Sequence, residues 1–225
     1  MISHSPNDHE LAEALRVPED ALSAVLDEVA AELAAWSGED DAWLQPSGPA
    51  ITCTVLPSGP RSMALAFPDL EDLHRYLPDT LIPSLDVTAV SIRDLLGLLL
   101  ARPNLDLVML KPQEMSTDEE DGALLYVGLQ IERARLLAAI IQRSLMEEGG
   151  LGILLASFLK WLNEEHPESD RLLVAATMAR AVVEQRLISL DDLVALTGLS
   201  FDTVRTANFE ASRLFSLWWT AGNIL

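Results

Sequence analysis

The stretch "RSMALAFPDLEDLHRYL" (residues 61–77) decides the fold. Its first part, "RSMALAF", is a short apolar run, and the residues before it show what it pairs with. "AITCTVL" (50–56) is apolar and β-branched, and "PSGP" (57–60) has turn chemistry, so the two runs read as the arms of a hairpin. The second part changes period. Asp69 can cap a short helix carrying Leu70, Leu73 and Leu77. A hairpin that feeds straight into a capped helix belongs to a mixed α+β fold.

The pattern continues downstream. "LDVTAVS" (85–91) is strand-like, "IRDLLGLLLARP" (92–103) is helical and stops before Pro103, and "LDLVMLKP" (105–112) is strand-like again. The order β-β-α-β-α-β defines a small α+β domain over residues 43–112. Upstream, residues 1–38 form an N-terminal helical segment. In it Leu11, Leu15, Leu22, Val25, Leu26, Val29 and Leu33 recur at three- and four-residue steps. Pro18 suits the first turn of the second of these helices, with Glu19 and Asp20 at its positive end. "QEMSTDEEDG" (113–122) carries few apolar residues and reads as an acidic linker.

From residue 123 to 225 the expectation is an all-helical domain of about five helices. Gly149 and Gly150 end the first, Pro167 ends the second, and Ser169 and Asp170 are the N-cap candidates of the third. The last two, in "SLDDLVALTGLSFDTVRTANFEASRL" (189–214), have helix-turn-helix spacing. Leu193 and Leu196 would pack the first helix, Gly198 the turn, Ser200 the cap and Val204 the core of the second helix. A weaker echo lies at Leu11, Val17, Pro18 and Leu22.

Charge argues against the DNA-reading use of that motif. The chain has 15 Lys and Arg against 35 Asp and Glu, a formal charge of −20, which repels phosphate backbones and anionic membranes. The imbalance is uneven. Residues 1–121 hold 6 basic and 23 acidic side chains, and residues 122–225 hold 9 and 12. Of the positions that would face DNA, namely Ser200, Phe201, Asp202, Thr203, Arg205 and Thr206, one is basic. A continuous basic face built from Arg133, Arg135, Arg143, Lys160, Arg171, Arg180 and Arg205 would reverse that reading.

The segment "SMALAFPDLEDLHRYL", then "LDVTAVSIRDLLGLLL", then "LDLVMLKP", resembles the SseB N-terminal-domain family of bacterial proteins. In "AFPDLEDL", Pro68 and Asp69 stand where that family usually has Thr-Ser. In "LVMLKP", Lys111 replaces its usual Asn. The resemblance covers residues 43–112. It implies an α+β fold and a regulatory or protein-binding role, and it supplies no catalytic residues.

No catalytic or metal-ligating set emerges from the residues themselves. Cys53 is the single cysteine and sits among apolar neighbours, which suits a small packed hydrophobe rather than a nucleophile or a zinc ligand. "STDEED" lacks the alternating ligand rhythm of a calcium loop. Glu164, Glu165 and His166 are adjacent and point apart on a helix, and His74 suits an exposed helix position. The apolar C-terminus, with Phe209, Phe215, Trp218, Trp219 and Ile224, needs burial in the chain, in a dimer or in a partner. Phe215, Trp218 and Trp219 are therefore the expected partner or dimer contacts. Ser200, Thr203, Arg205 and Thr206 are the DNA contacts of the alternative reading.

Together these features predict a non-catalytic, acidic, cytoplasmic adaptor or regulator without a cofactor or metal. Its expected partner is another protein of basic character or a second copy of the chain, not a membrane. The alternative is a transcriptional regulator using the helix-turn-helix-like pair.

Overall fold

A computed structural model describes residues 7–37, 42–45, 51–58, 61–77, 79–80, 82–117 and 124–222. Its elements are α1 (Asp8–Leu15), α2 (Glu19–Ser37), β1 (Ile51–Ser58), β2 (Arg61–Phe67), α3 (Leu70–Tyr76), β3 (Val87–Val90), α4 (Ile92–Ala101), β4 (Leu105–Thr117) and β5 (Leu124–Glu132). They are followed by α5 (Arg133–Leu145), α6 (Gly150–Glu165), α7 (Ser169–Val183), α8 (Leu190–Thr197) and α9 (Phe201–Thr220). The chain is of the α+β class. It divides into two compact units, residues 1–11 with 26–132 and residues 12–25 with 133–225.

The first unit is built on a five-stranded sheet in the order β3-β1-β2-β4-β5. β1 and β2 form the expected antiparallel hairpin, with Thr52 opposite Phe67 and Ser58 opposite Arg61. β2 and β4 pair in parallel, Leu65 beside Met109, which requires the crossover through α3, β3 and α4. Both faces of these central strands are covered, because Ala64, Leu65, Ala66 and Phe67 are all fully buried. That is why they read as continuous apolar runs without alternation. Leu65, Phe67 and Met109 pack with Leu73 and Leu77 of the α3 turn, and Tyr76 stacks on Phe67 at 6.5 Å. Leu70, expected in the same stripe, is exposed.

Local chemistry sets the helix starts. Asp69 accepts a hydrogen bond from the Asp72 N–H at 2.9 Å, and Ser91 caps α4 by accepting from the Asp94 N–H at 3.1 Å. Arg93 of α4 holds both carboxylate oxygens of Asp8 in a fork, at 3.1 and 2.5 Å, and reaches Asp27 at 2.8 Å. Those carboxylates, Asp8 before Asp27, raise the guanidinium pKa further above its ordinary value, so Arg93 stays charged at every accessible pH. Leu11 packs over Gly97 of the same helix.

Two sequence expectations need correction here. Residues 113–117, read as linker, continue β4, with Glu114 opposite Val127 and Thr117 opposite Leu124. Extending an existing ladder satisfies the backbone without apolar content, so composition does not reveal it. The continuation follows a register shift between Leu110 and Glu114, where Lys111 takes a positive φ of 47°. Residues 118–122 of that expected linker lie outside the described residues. "LLYVGLQIE" is strand β5, not the start of a helix, so the helical part begins at Arg133. A short apolar run has no period that separates the two states. α1 and α2 lie in the expected N-terminal helical segment, and the division between the two units falls within it, with residues 12–25 in the helical unit and 26–37 in the sheet unit.

The second unit holds the five expected helices. Gly149, at φ 86°, precedes α6. α7 has Glu168 at its N-cap, so Ser169 lies inside the first turn and Ser169 and Asp170 are not its caps. Ser189 and Asp192 form a reciprocal capping box on α8, and Gly198 ends that helix in the left-handed conformation at φ 72°. Ser200 then caps α9 by accepting from the Thr203 N–H at 3.2 Å.

Candidate functional site

The helix-turn-helix-like pair is assembled much as its spacing implies. Leu193 and Val204 are buried and pack with Val174 and Ala207. Leu196 is the exception. It is exposed, and Thr197 takes the buried place, its hydroxyl donating to the Leu193 carbonyl at 2.6 Å. Ser200 Oγ lies 2.8 Å from Thr203 Oγ1, so both hydroxyls are engaged in the cap. Arg205 is ion-paired with Asp202 at 3.2 Å, and Thr206 is exposed beside them.

Three further cations of this unit lie beside carboxylates. Arg171 is held by Glu168 and Glu210. Arg180 is held by Glu184 at 2.9 Å and Glu148 at 3.4 Å, and Lys160 lies 4.0 Å from Glu164. Arg133 is buried.

The C-terminal aromatics divide into two groups. Trp218 is 1 % exposed and packs on Phe158 and Phe215, with ring centroids 5.6 and 5.9 Å apart. Its burial within the chain removes it from the expected partner contacts. Phe215 is half-buried and meets Phe158 edge-on at 5.1 Å. Trp219 and Phe209 are exposed. Ile224 lies outside the described residues.

Those aromatics form one wall of a feature that no single sequence stretch announces. Between α6, α7 and α9 lies an open groove of about 400 Å³. Leu151, Leu154, Leu155 and Phe158 line it from α6, and Ala175, Met178, Ala179 and Val182 from α7. Ala211, Ser212, Phe215 and Ser216 line it from α9. Each helix contributes one stripe at helical spacing. Small alanines on α7 and α9 keep the floor low, while Leu151 and Val182 stay exposed at the rim. Each stripe is visible in the sequence, but it reads as ordinary core. Only the packing shows that three of them meet at an open surface.

The other residues considered for chemistry stay apart. His74 is exposed and lies 3.7 Å from Asp79. His166 contacts the Trp161 ring. Cys53 pairs through its backbone with Ala66 and Thr88, and its side chain lies outside what is described. Among the described residues, no three His, Cys, Asp or Glu side chains gather as a metal site. No helix among them is long and apolar enough to cross a membrane. The chain matches no protein-family model, no curated protein and no solved structure.

Proposed function

We propose that this chain is a non-catalytic adaptor or regulator that binds another protein, taking an amphipathic helix of that partner into the groove between α6, α7 and α9. The groove carries the proposal. An open apolar channel flanked by exposed Leu151 and Val182 matches the way proteins receive the i, i+3/i+4, i+7 face of a helix. The net charge of −20 selects a partner whose solvent face is basic, since long-range attraction steers such pairs together. A regulatory or protein-binding role is also what the SseB-like pattern of residues 43–112 implies.

A synthetic amphipathic helix tests this reading. A peptide of about 15 residues, with leucines on one face and lysines on the other, suits titration by tryptophan fluorescence. Saturable binding is expected for the basic peptide and not for a glutamate-faced version. Leu151→Asp combined with Val182→Asp should abolish it without unfolding the chain, because both side chains are exposed. Equal binding to wild type and double variant would reject the groove as the site.

The second reading, DNA binding through Ser200, Thr203, Arg205 and Thr206, is favoured by the Gly198 turn and the Ser200 cap alone. Its test is fluorescence anisotropy with duplex DNA at low salt. Affinity that falls steeply as salt rises and is lost in Arg205→Ala would establish it in place of the adaptor role.

A further inference from the structure

The sheet of the first unit ends in two unlike edges. At one, β3 spans only Val87–Val90 and pairs with Ile51–Thr54 of β1. At the other, β5 runs nine residues, Leu124–Glu132, and among the described residues no strand pairs beyond it. In such a strand alternate residues turn their N–H and C=O groups away from the ladder, where a further strand can take them up. Short length, proline, charge or a bulge normally blunts an edge of this kind. From Leu124 to Ile131 β5 has no proline and no charged residue. Nor does the register shift blunt it: between the pairs Leu110–Leu129 and Glu114–Val127, β4 carries residues 111–113 where β5 carries Gly128. The extra residues thus sit on the inner strand. A Cβ at Gly128 would lie 2.7 Å from the Leu110 carbonyl oxygen, so the bare position keeps β5 close to β4 across that shift.

The cover over the sheet also runs out at this edge. Val108 and Leu110 of β4 are fully buried, whereas Ile131 and Leu129, which stand opposite them on the same face, are half-buried. On the other face Gln130, opposite buried Met109, is exposed. An added strand would therefore meet apolar surface on one side and water on the other, and its own residues would have to alternate accordingly. Charge narrows the choice further. Residues 1–121 hold 6 basic and 23 acidic side chains, which opposes a second copy of the chain at this edge and favours a basic segment.

We infer that the outer edge of β5 takes up an extended segment of a partner protein, in which apolar residues alternate with lysine or arginine, as a further strand of the five-stranded sheet. The apolar set lies beside Leu129 and Ile131, and the basic set lies on the Gln130 face. Main-chain hydrogen bonds supply the affinity, and the alternation supplies the selectivity. The inference goes beyond the groove, which takes a helix between α6, α7 and α9 and shares no residue with β5.

Amide hydrogen exchange on the isotope-labelled full chain tests it, with and without a peptide of alternating valine and lysine matched in length to β5. The peptide should bind saturably, and alternate amides of Leu124–Ile131 that exchange freely in the chain alone should slow about tenfold or more. Gln130→Lys should weaken binding about threefold and Gln130→Glu strengthen it by a similar factor, with the fold kept because the position is exposed. Leu151→Asp combined with Val182→Asp should leave both the affinity and the slowed amides unchanged, which separates this edge from the groove. Absence of saturable binding, or binding that leaves the β5 amides exchanging freely, would overturn the inference. Equal slowing by a valine–glutamate peptide would do the same. So would slowing that rises with protein concentration alone, because a second copy would then occupy the edge.

Discussion

Arg16 and Gln185 both hold left-handed backbone, at φ 55° and 53°, without being glycine. Each closes a helix in the same way. The Val17 and Arg186 N–H groups reach back to the carbonyls of Ala12 and Ala181, and the Arg16 and Gln185 N–H groups to those of Glu13 and Val182. Gln185 is exposed, so Gln185→Gly is expected to stabilise the fold by about 0.5–1 kcal/mol in urea unfolding. Gly152 presents the opposite case. A Cβ there would lie 2.2 Å from the Leu145 carbonyl oxygen, so α6 starts against the end of α5 only because that position is bare. Gly152→Ala should cost about 3 kcal/mol by the same measurement. The sequence disclosed Gly198 and Ser200, because glycine stops and serine caps follow local rules. It hid Arg16 and Gln185, whose residue types carry no signal for the conformation they adopt.

Among the elements, α8 has the most complete N-terminal cap. The Ser189 hydroxyl, and then its backbone N–H, hold the Asp192 carboxyl below the ordinary aspartate range. The folded protein therefore releases this proton more readily than the unfolded chain does. The cap's contribution is complete above the ordinary carboxylate pKa and is lost as pH falls through the lower folded value. Amide protection in the first turn of α8 should accordingly drop on acidification, whereas Asp192→Ala should show low protection at both ends of the range. For α9, Ser200→Ala is expected to cost about 1 kcal/mol in urea unfolding. Strand pairing was less legible than capping. The β1–β2 hairpin declares itself through its turn residues, but the β4–β5 pairing joins an acidic stretch to an apolar one. Backbone ladders impose no composition, so nothing in either stretch names its partner.

Taken whole, the molecule carries 20 more negative than positive charges, and its stability should respond. Raising sodium chloride from about 10 to 150 mM shortens the Debye length from roughly 30 to 8 Å, so the melting temperature should rise as self-repulsion is screened. The aromatic C-terminus offers a second test at this scale. Trp218→Ala should cost about 3–5 kcal/mol by thermal unfolding, because the side chain is enclosed by Phe158 and Phe215. Trp219→Ala, half-exposed, should cost less than about 1 kcal/mol and leave the mass in solution unchanged. The sequence anticipated that these aromatics would need burial. It did not disclose which of them is enclosed, nor that α6, α7 and α9 leave an open channel beside them. Both depend on helices brought together from positions far apart in the chain.

The parallel pairing of β2 with β4 has a consequence for the order in which the chain acquires its structure. Those strands meet only after the intervening α3, β3 and α4 have been looped back, and that search carries an entropic cost before any contact rewards it. In α5 to α9, neighbours along the chain are largely neighbours in space. After dilution from denaturant, helical signal should therefore return in an early phase, and the sheet should register in a later one.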